Sequence, residues 1–372
     1  MMRIIVSGGG TGGHIYPAIT LIKAMQKLVD SCEILYVGTK EGLEADIIPQ
    51  EGLPFRTIDI RGFVRKISVA NLVTLMKTVG SLWESRKIIR DFQPDIVIGT
   101  GGYVCGPILL TASLMGVPTM IQEQNVIPGI TNRILSRFVD KIAVGYADAG
   151  KYFHDREKIV FTGNPIRPEV LTATRAEGFA ELGLDPGKRT VLISGGSRGA
   201  RSINQAMLEI HRYFAENKTV QLLHVTGKNE YNGIVGNLMQ MGIDITSTGN
   251  ISIKPYLHNM PKALAIADLA IFRAGAVGLA ELTALGVPAI LIPYPYAAEN
   301  HQELNARVME QQGAAVVIRD CDLRGKTLLK TVKELIGDSA RLAGMAQASK
   351  RLGKPEAAES IARLAIGLSQ LR

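Results

Sequence analysis

Three glycine-rich runs hold the residue types and spacings best suited to chemistry: Gly8-Gly9-Gly10-Thr11-Gly12-Gly13-His14, Gly99-Thr100-Gly101-Gly102-Tyr103 and Gly195-Gly196-Ser197-Arg198-Gly199. The first follows the apolar run Ile4-Ile5-Val6 and leads into a helical pattern from about Tyr16. A strand feeding such a turn and then a helix gathers backbone N–H groups at the positive end of a helix dipole. That is an anion-binding device suited to a phosphate or diphosphate. Glycine serves there because positive φ and close approach to bare backbone are both needed. His14 closes the loop, where a neutral imidazole beside a bound anion can accept a proton. In the third run, Ser197 and Arg198 add a hydroxyl and a guanidinium. Three such runs at the carboxyl ends of strands predict two anionic ligands held opposite one another.

Further along, the segment from Phe272 to Glu281 leaves a strand and enters a helix. Glu281 can favour the helix dipole there, or take both hydroxyl protons of a ribose diol on its carboxylate. Segment 293–302 is polar and proline-rich and reads as a cleft loop. Gly8, Gly10 and Gly13 also satisfy the G-x-G-x-x-G fingerprint of dinucleotide sites. The second strand, however, ends Val37-Gly38-Thr39 with no carboxylate before Glu41 to hold a ribose, which disfavours a nicotinamide dehydrogenase. His14 rather than lysine follows Gly13, which disfavours a nucleotide-hydrolysing P-loop. Asp320-Cys321-Asp322 has the spacing of a metal site for a diphosphate. It lies just before a helix, where Asp322 is expected as an N-cap. No histidine cluster has metal-ligand spacing, so no metal or other cofactor is expected.

The elements that position these loops follow from the apolar pattern. Strand-like runs at 33–37, 55–60, 95–98, 118–122 and 141–144 alternate with helical patterns, as in a parallel sheet covered on both faces. The alternation pauses at Gly163-Asn164-Pro165 and resumes with strands at 191–194, 220–225, 269–272, 289–292 and 315–318. Each half opens with the same strand, glycine loop and helix. The expected fold is therefore α/β, with two doubly wound Rossmann-like domains at 1–165 and 166–344 and a cleft between the carboxyl ends of their strands. The helices of the terminal segment 345–372, the last of them at 355–371 with no strand after it, are expected to return to the first domain.

A chain of 372 residues suffices for two sizeable cores, and 46% hydrophobic with 20% charged residues is ordinary for a soluble globular protein. The net charge of +8 favours an acidic partner, such as anionic lipid or a phosphorylated substrate. A single Trp and 5% aromatic residues argue against single-stranded nucleic acid. Cys32, Cys105 and Cys321 have no CxxC spacing and read as reduced thiols. Neither a signal peptide nor a run long enough to span a bilayer is evident. The helix expected at 68–92 carries an apolar stripe wider than one buried face requires. Leu72, Leu75, Val79, Leu82 and Trp83 lie in that stripe, with Lys66 and Arg86 among the surrounding cations, as in a helix edge that dips into an anionic leaflet.

Taken in order, GGGTGGH at 8–14, GTGGY at 99–103, EQN at 123–125, GNPIR at 163–167, GGSRGA at 195–200, RAGA…AE at 273–281 and HQ at 301–302 resemble the MurG family over nearly the whole chain. The resemblance implies a GT-B fold. It also implies an inverting, metal-independent transfer of GlcNAc from UDP-GlcNAc to the 4-hydroxyl of MurNAc in lipid I. The product would be the β-1,4-linked lipid II of peptidoglycan synthesis. The place of work implied is the cytoplasmic side of the bacterial plasma membrane, as a peripheral protein alongside cell-wall assembly proteins.

Residue by residue, the resemblance implies donor contacts from Thr11, Gly12 and Gly13, and from Asn125 to the GlcNAc moiety. Arg167 and Ser197 would surround the donor diphosphate, Leu257 would pack on uracil, and Gln302 would reach a sugar hydroxyl. Ala276, Val277, Gly278, Leu279, Ala280 and Glu281 would hold the nucleoside, ending in the ribose carboxylate. Acceptor-diphosphate contacts are implied for Gly10, Thr11, Gly101, Gly102 and Tyr103, and a membrane patch for the apolar stripe. Val277-Gly278 departs from a bulkier, hydroxylated pair in some members. In this mechanism His14 is the expected general base, and the Ser197 loop, its helix dipole and Arg167 stabilise the leaving diphosphate. The nearest alternative is a GT-B enzyme with another lipid acceptor, such as diacylglycerol. A non-enzymatic basic membrane adaptor would leave the glycine loops and Glu281 without a task.

Overall fold

The computed structural model describes residues 1–60, 69–245 and 249–370, without the side chains of 69–78. The chain forms two compact units, Met1–Ile166 with Pro355–Arg372, and Arg167–Lys354. In the first, β1 (Met2–Ser7), β2 (Cys32–Gly38), β3 (Phe55–Thr57), β4 (Ile96–Gly99), β5 (Thr119–Glu123), β6 (Lys141–Val144) and β7 (Ile159–Phe161) make one parallel sheet. Its order is β3-β2-β1-β4-β5-β6-β7. Period-two alternation sends Ile4, Val6, Ile34, Tyr36, Ile96 and Ile98 to one face, and Ile5, Leu35, Val37 and Val97 to the other. The first face is covered by the helices Gly12–Leu28 and Ala357–Ser369, whose Ile361, Ala362 and Ala365 are fully buried. The second is covered by Val69–Phe92 and Cys105–Leu114.

The second unit repeats the scheme with β8 (Arg189–Ser194), β9 (Val220–Val225), β10 (Ile251–Lys254), β11 (Leu269–Phe272), β12 (Ala289–Leu291) and β13 (Ala315–Val317). They run parallel in the order β10-β9-β8-β11-β12-β13. Both sheets reverse their strand order once, between β1 and β4 and between β8 and β11. Loops leaving the carboxyl ends of such a pair border a natural ligand crevice.

Three expectations are corrected. The unit boundary falls at 354–355 rather than 344–345. The helix Ser339–Leu352 packs on Ala276–Leu285 inside the second unit, so only the final helix returns to the first. Asp322 caps nothing: it ends the 3₁₀ turn Asp320–Asp322, pairs with Arg319, and leaves Arg324 as N-cap of Gly325–Gly337. Strands β7 and β10 were not anticipated, because the edge segments IVF and ISIK, three and four residues long, carry too little periodicity to register.

The second core holds a buried histidine pair. His224 Nε2 donates to Asn204 Oδ1 (3.0 Å), which leaves His224 Nδ1 to accept from His211 Nε2 (3.0 Å). Asn204 in turn donates to the Thr226 carbonyl (2.9 Å), and His211 Nδ1 has no partner. Burial pushes His211 down to about 3 and His224 well below its ordinary value, so both stay neutral in the fold. In the unfolded chain they take up protons near pH 6.5. The unfolded state thus binds more protons below that pH, and stability falls with acid from about pH 6.5 toward 3. Denaturant unfolding at pH 7 and pH 5 is expected to differ by about 2 kcal/mol from His211 alone, with His224 adding in the same direction. A His211→Leu variant is expected to flatten that dependence.

Candidate active site

In the first unit the two glycine loops leave neighbouring strand ends, since Ser7 pairs in register with Gly99. They pack backbone against backbone. Gly9 N–H donates to the Gly101 carbonyl (3.2 Å), and a Cβ on Gly102 would lie 2.4 Å from the Gly9 oxygen. The loop carbonyls are held from beneath: Ser7 by the Thr100 amide (2.8 Å), Gly8 by the Tyr36 hydroxyl (2.7 Å) and Gly9 by His14 Nδ1 (2.9 Å). Helix Gly12–Leu28 begins earlier than the apolar pattern suggested, so Gly12, Gly13 and His14 form its first turn. Its N-cap, Thr11, makes no side-chain capping bond. The His14 N–H donates to the Thr11 carbonyl (3.1 Å), and no capping side chain covers the helical N–H groups of Gly12 and Gly13 before it.

His14 has a defined tautomer. A carbonyl oxygen only accepts, so the contact with Gly9 places the proton on Nδ1 and the lone pair of the neutral ring on Nε2. The Nε2 edge lies over Gly101, where a Cβ would approach Nε2 to 3.0 Å. Tyr103 places its ring beside Gly10, 3.7 Å from the position of a Cβ there. Of Gly10 itself, φ is +79° and the N–H turns inward to Glu44 Oε2 (3.0 Å). Gly10 therefore offers its turn, not its amide, to a ligand. Thr39 at the end of β2 also donates to Glu44, through N–H (3.1 Å) and hydroxyl (2.7 Å). The carboxylate sought after β2 is thus present in space, three residues beyond Glu41. It is fully buried, with both oxygens taken by protein donors.

Asn125, expected at the GlcNAc moiety, sits in a loop organised by Glu123 at the end of β5. That buried carboxylate accepts from Asn125 N–H (2.9 Å), Gly129 N–H (3.1 Å) and Asn132 Nδ2 (2.8 Å). Sequence reading took EQN as a motif and missed that Glu123 shapes the loop while Asn125 is the half-buried member.

In the second unit, Ser194 of β8 pairs with Phe272 of β11, so the loops 195–199 and 273–275 leave adjacent strand ends. Ser197 and Arg198 are exposed on the first of these. Gly199 has φ +76°, and a Cβ there would strike the Thr226 carbonyl at 2.0 Å, so only glycine allows this loop to lie on the β9 end. The helices that follow, Arg201–Phe214 and Ala276–Leu285, also start without a side-chain cap. Glu281 lies one turn into the latter, 5% exposed, and accepts from Arg167 Nε at 2.7 Å. Arg167 is thus engaged with the expected ribose carboxylate. Leu257 is half-buried after β10, and Gln302 Oε1 accepts from the Tyr294 amide (3.0 Å), folding segment 293–302 onto itself.

Arg273 ties this edge together, a role absent from the sequence reading. It donates to Asp320 (2.5 Å), to the Ile292 and Pro293 carbonyls (3.1 and 3.0 Å) and to the Ser202 hydroxyl (2.9 Å). Asp320 is consumed by this network, and among the described residues no group of three or more His, Cys, Asp or Glu could hold a metal. On the helix Val69–Phe92, Val79 and Trp83 are 52% and 72% exposed, Leu82 is half-buried and Arg86 is exposed. Lys66 and the side chains of Leu72 and Leu75 lie outside the described residues.

Two Rossmann-like parallel-sheet units, each with glycine loops at its switch point, define the GT-B class of glycosyltransferases. Residues 4–144 match the glycosyltransferase family 28 N-terminal domain, and 190–361 match the family 28 C-terminal domain. Over 98% of both chains the sequence is 50% identical to a UDP-N-acetylglucosamine–N-acetylmuramyl-(pentapeptide) pyrophosphoryl-undecaprenol N-acetylglucosamine transferase of Halothermothrix orenii. It is 49% identical to the protein of the same name from Desulforamulus reducens, over 97% of each. A crystal structure of Acinetobacter baumannii MurG is similar with a TM-score of 0.79 and 25% identity, covering 99% of this chain and 100% of that one. The chain belongs to the MurG family of glycosyltransferase family 28.

Proposed function

We infer that the chain transfers GlcNAc from UDP-GlcNAc to the 4-hydroxyl of MurNAc in lipid I, with inversion to a β-1,4 linkage, forming lipid II. The full-length identity of 50% to a transferase so named carries this reading. The acceptor hydroxyl oxygen bonds to the anomeric carbon as the bond from that carbon to the UDP oxygen breaks, and the electron pair leaves with UDP. The hydroxyl proton goes to His14 Nε2, whose lone pair the Gly9 contact leaves available. In this proposal the first unit's glycine loops hold the acceptor diphosphate and the second unit's hold the donor. Exposed Ser197 and the dipole of Arg201–Phe214 stabilise the departing diphosphate. The test offers labelled UDP-GlcNAc with lipid I and with diacylglycerol. Labelled lipid II is expected, and product from diacylglycerol alone would transfer the reading to another lipid acceptor.

No metal enters this proposal, since helix N-termini and basic side chains supply the positive potential. Turnover in excess EDTA is expected to equal turnover without it, and a loss restored by a divalent cation would refute this part. We also propose that Trp83 and Val79 rest in an anionic leaflet, with the exposed Arg86, Lys87 and Arg90 beside them. Sedimentation with phosphatidylglycerol vesicles should exceed that with phosphatidylcholine and fall for Trp83→Ser; equal binding of the variant contradicts the patch.

A further inference from the structure

We propose that Glu44 is the positioning residue of the first unit's phosphate loop, and that a carboxylate is required there because both of its oxygens must accept. Glu44 opens the helix Glu44–Gln50 and is 0% exposed. Oε2 takes the Gly10 N–H at 3.0 Å, while Oε1 takes the Thr39 N–H at 3.1 Å and the Thr39 hydroxyl at 2.7 Å. Gly9, Gly38 and Gly42 close around the side chain: a Cβ on any of them would come within 2.4, 2.6 and 2.3 Å of a Glu44 atom. Among the described residues it has no ion-pair partner.

A buried carboxylate without a cation is costly, and a negative charge beneath a loop meant for a diphosphate opposes the ligand. Its contribution is therefore geometric. By fixing the Gly10 amide inward at φ +79°, it sets the turn that delivers Thr11 and the open helix start to the other side. Glutamine has the same shape but one acceptor oxygen, so its NH₂ would face either the Gly10 or the Thr39 N–H, donor against donor. The inference rests on the reading that this loop takes the acceptor diphosphate.

The test uses full-length Glu44→Gln with saturating UDP-GlcNAc. kcat/KM for lipid I is expected to fall about tenfold or more, as a buried donor loses its partner. Calorimetric affinity for UDP should be unchanged, because in the proposed transfer the uridine and its diphosphate rest on Glu281 and the Ser197 loop of the other unit. Thr39→Val keeps the Gly10 contact and removes one hydroxyl donor, so a smaller fall of the same kind is expected. A parallel arm titrates inorganic pyrophosphate into the UDP-saturated proteins. A charge acting only by repulsion gives tighter binding once removed, whereas a positioning residue gives weaker binding. Equal or tighter pyrophosphate binding by Glu44→Gln, or an unchanged kcat/KM for lipid I, overturns the proposal, as does a parallel loss of UDP affinity. Should the wild-type protein make no lipid II, the transfer reading fails and the pyrophosphate arm alone decides for or against Glu44. Should Glu44→Gln not fold, Thr39→Val decides, and an unchanged acceptor kcat/KM refutes the role.

Discussion

His14→Ala is expected to lower kcat by about 10²- to 10⁴-fold, the usual contribution of a positioned general base. Affinity for UDP-GlcNAc should fall much less than kcat, because the proposed nucleotide contacts, Glu281 and the Ser197 loop, belong to the other unit. The expectation comes from the orientation of one ring: Gly9 holds Nδ1–H, so Nε2 is the basic nitrogen. His14→Gln is a useful companion, since an amide can still hydrogen-bond a sugar or phosphate but is no base. If His14 only positioned the substrate, the glutamine variant would recover most of the activity. If it takes the proton, both variants fall together in kcat. An alanine variant with wild-type kcat removes His14 from the mechanism.

Glu281→Ala is expected to raise KM for UDP-GlcNAc by about 10²-fold or more, as two charge-assisted hydrogen bonds of about 1.5–3 kcal/mol each disappear. Glu281 is buried and already accepts from Arg167 at 2.7 Å, so its carboxylate is oriented before any nucleotide arrives. That pairing makes the two residues a unit. Arg167→Ala should weaken UDP binding too, and the double variant should lose less than the sum of the single losses. A 2′-deoxyuridine donor gives an independent check: the wild-type protein should reject it, and Glu281→Ala should no longer tell the two sugars apart. Equal discrimination by both would place the ribose elsewhere.

The loops were legible because glycine and alternation leave strong marks. Ile4-Ile5-Val6 running into five glycines announces β1 and its turn, and the same signal recurs at β8. What supports those loops left no such mark. Glu44 looks like an ordinary surface charge in the chain, the motifs that contain Glu123 and Arg273 do not reveal their supporting role, and only folding brings each to several backbone groups at once. Glu41 is the first carboxylate after β2 in the chain, but Glu44 is the one that folding brings back to the strand end, because spacing in sequence is not distance in space. Asp322 misled for a related reason: its position before a helix suited a cap, but a 3₁₀ turn intervened and gave the N-cap to Arg324. The short edge strands β7 and β10 lacked the length for any periodic signal.

The helix Ala357–Ser369 packs on Gly12–Leu28 and β4, and its Ile361, Ala362 and Ala365 are buried in one cluster with Ile4, Val6 and Ile15. During synthesis the amino-terminal unit therefore emerges first yet waits for residues 357–369 before its sheet is sealed, whereas the second unit can close before they appear. A stop codon or frameshift ahead of residue 357 would strip the cover from the layer that holds His14 and leave the second unit's own core intact. A clone ending at Lys354 is thus expected to retain UDP binding, and to carry an adhesive, half-built partner with it.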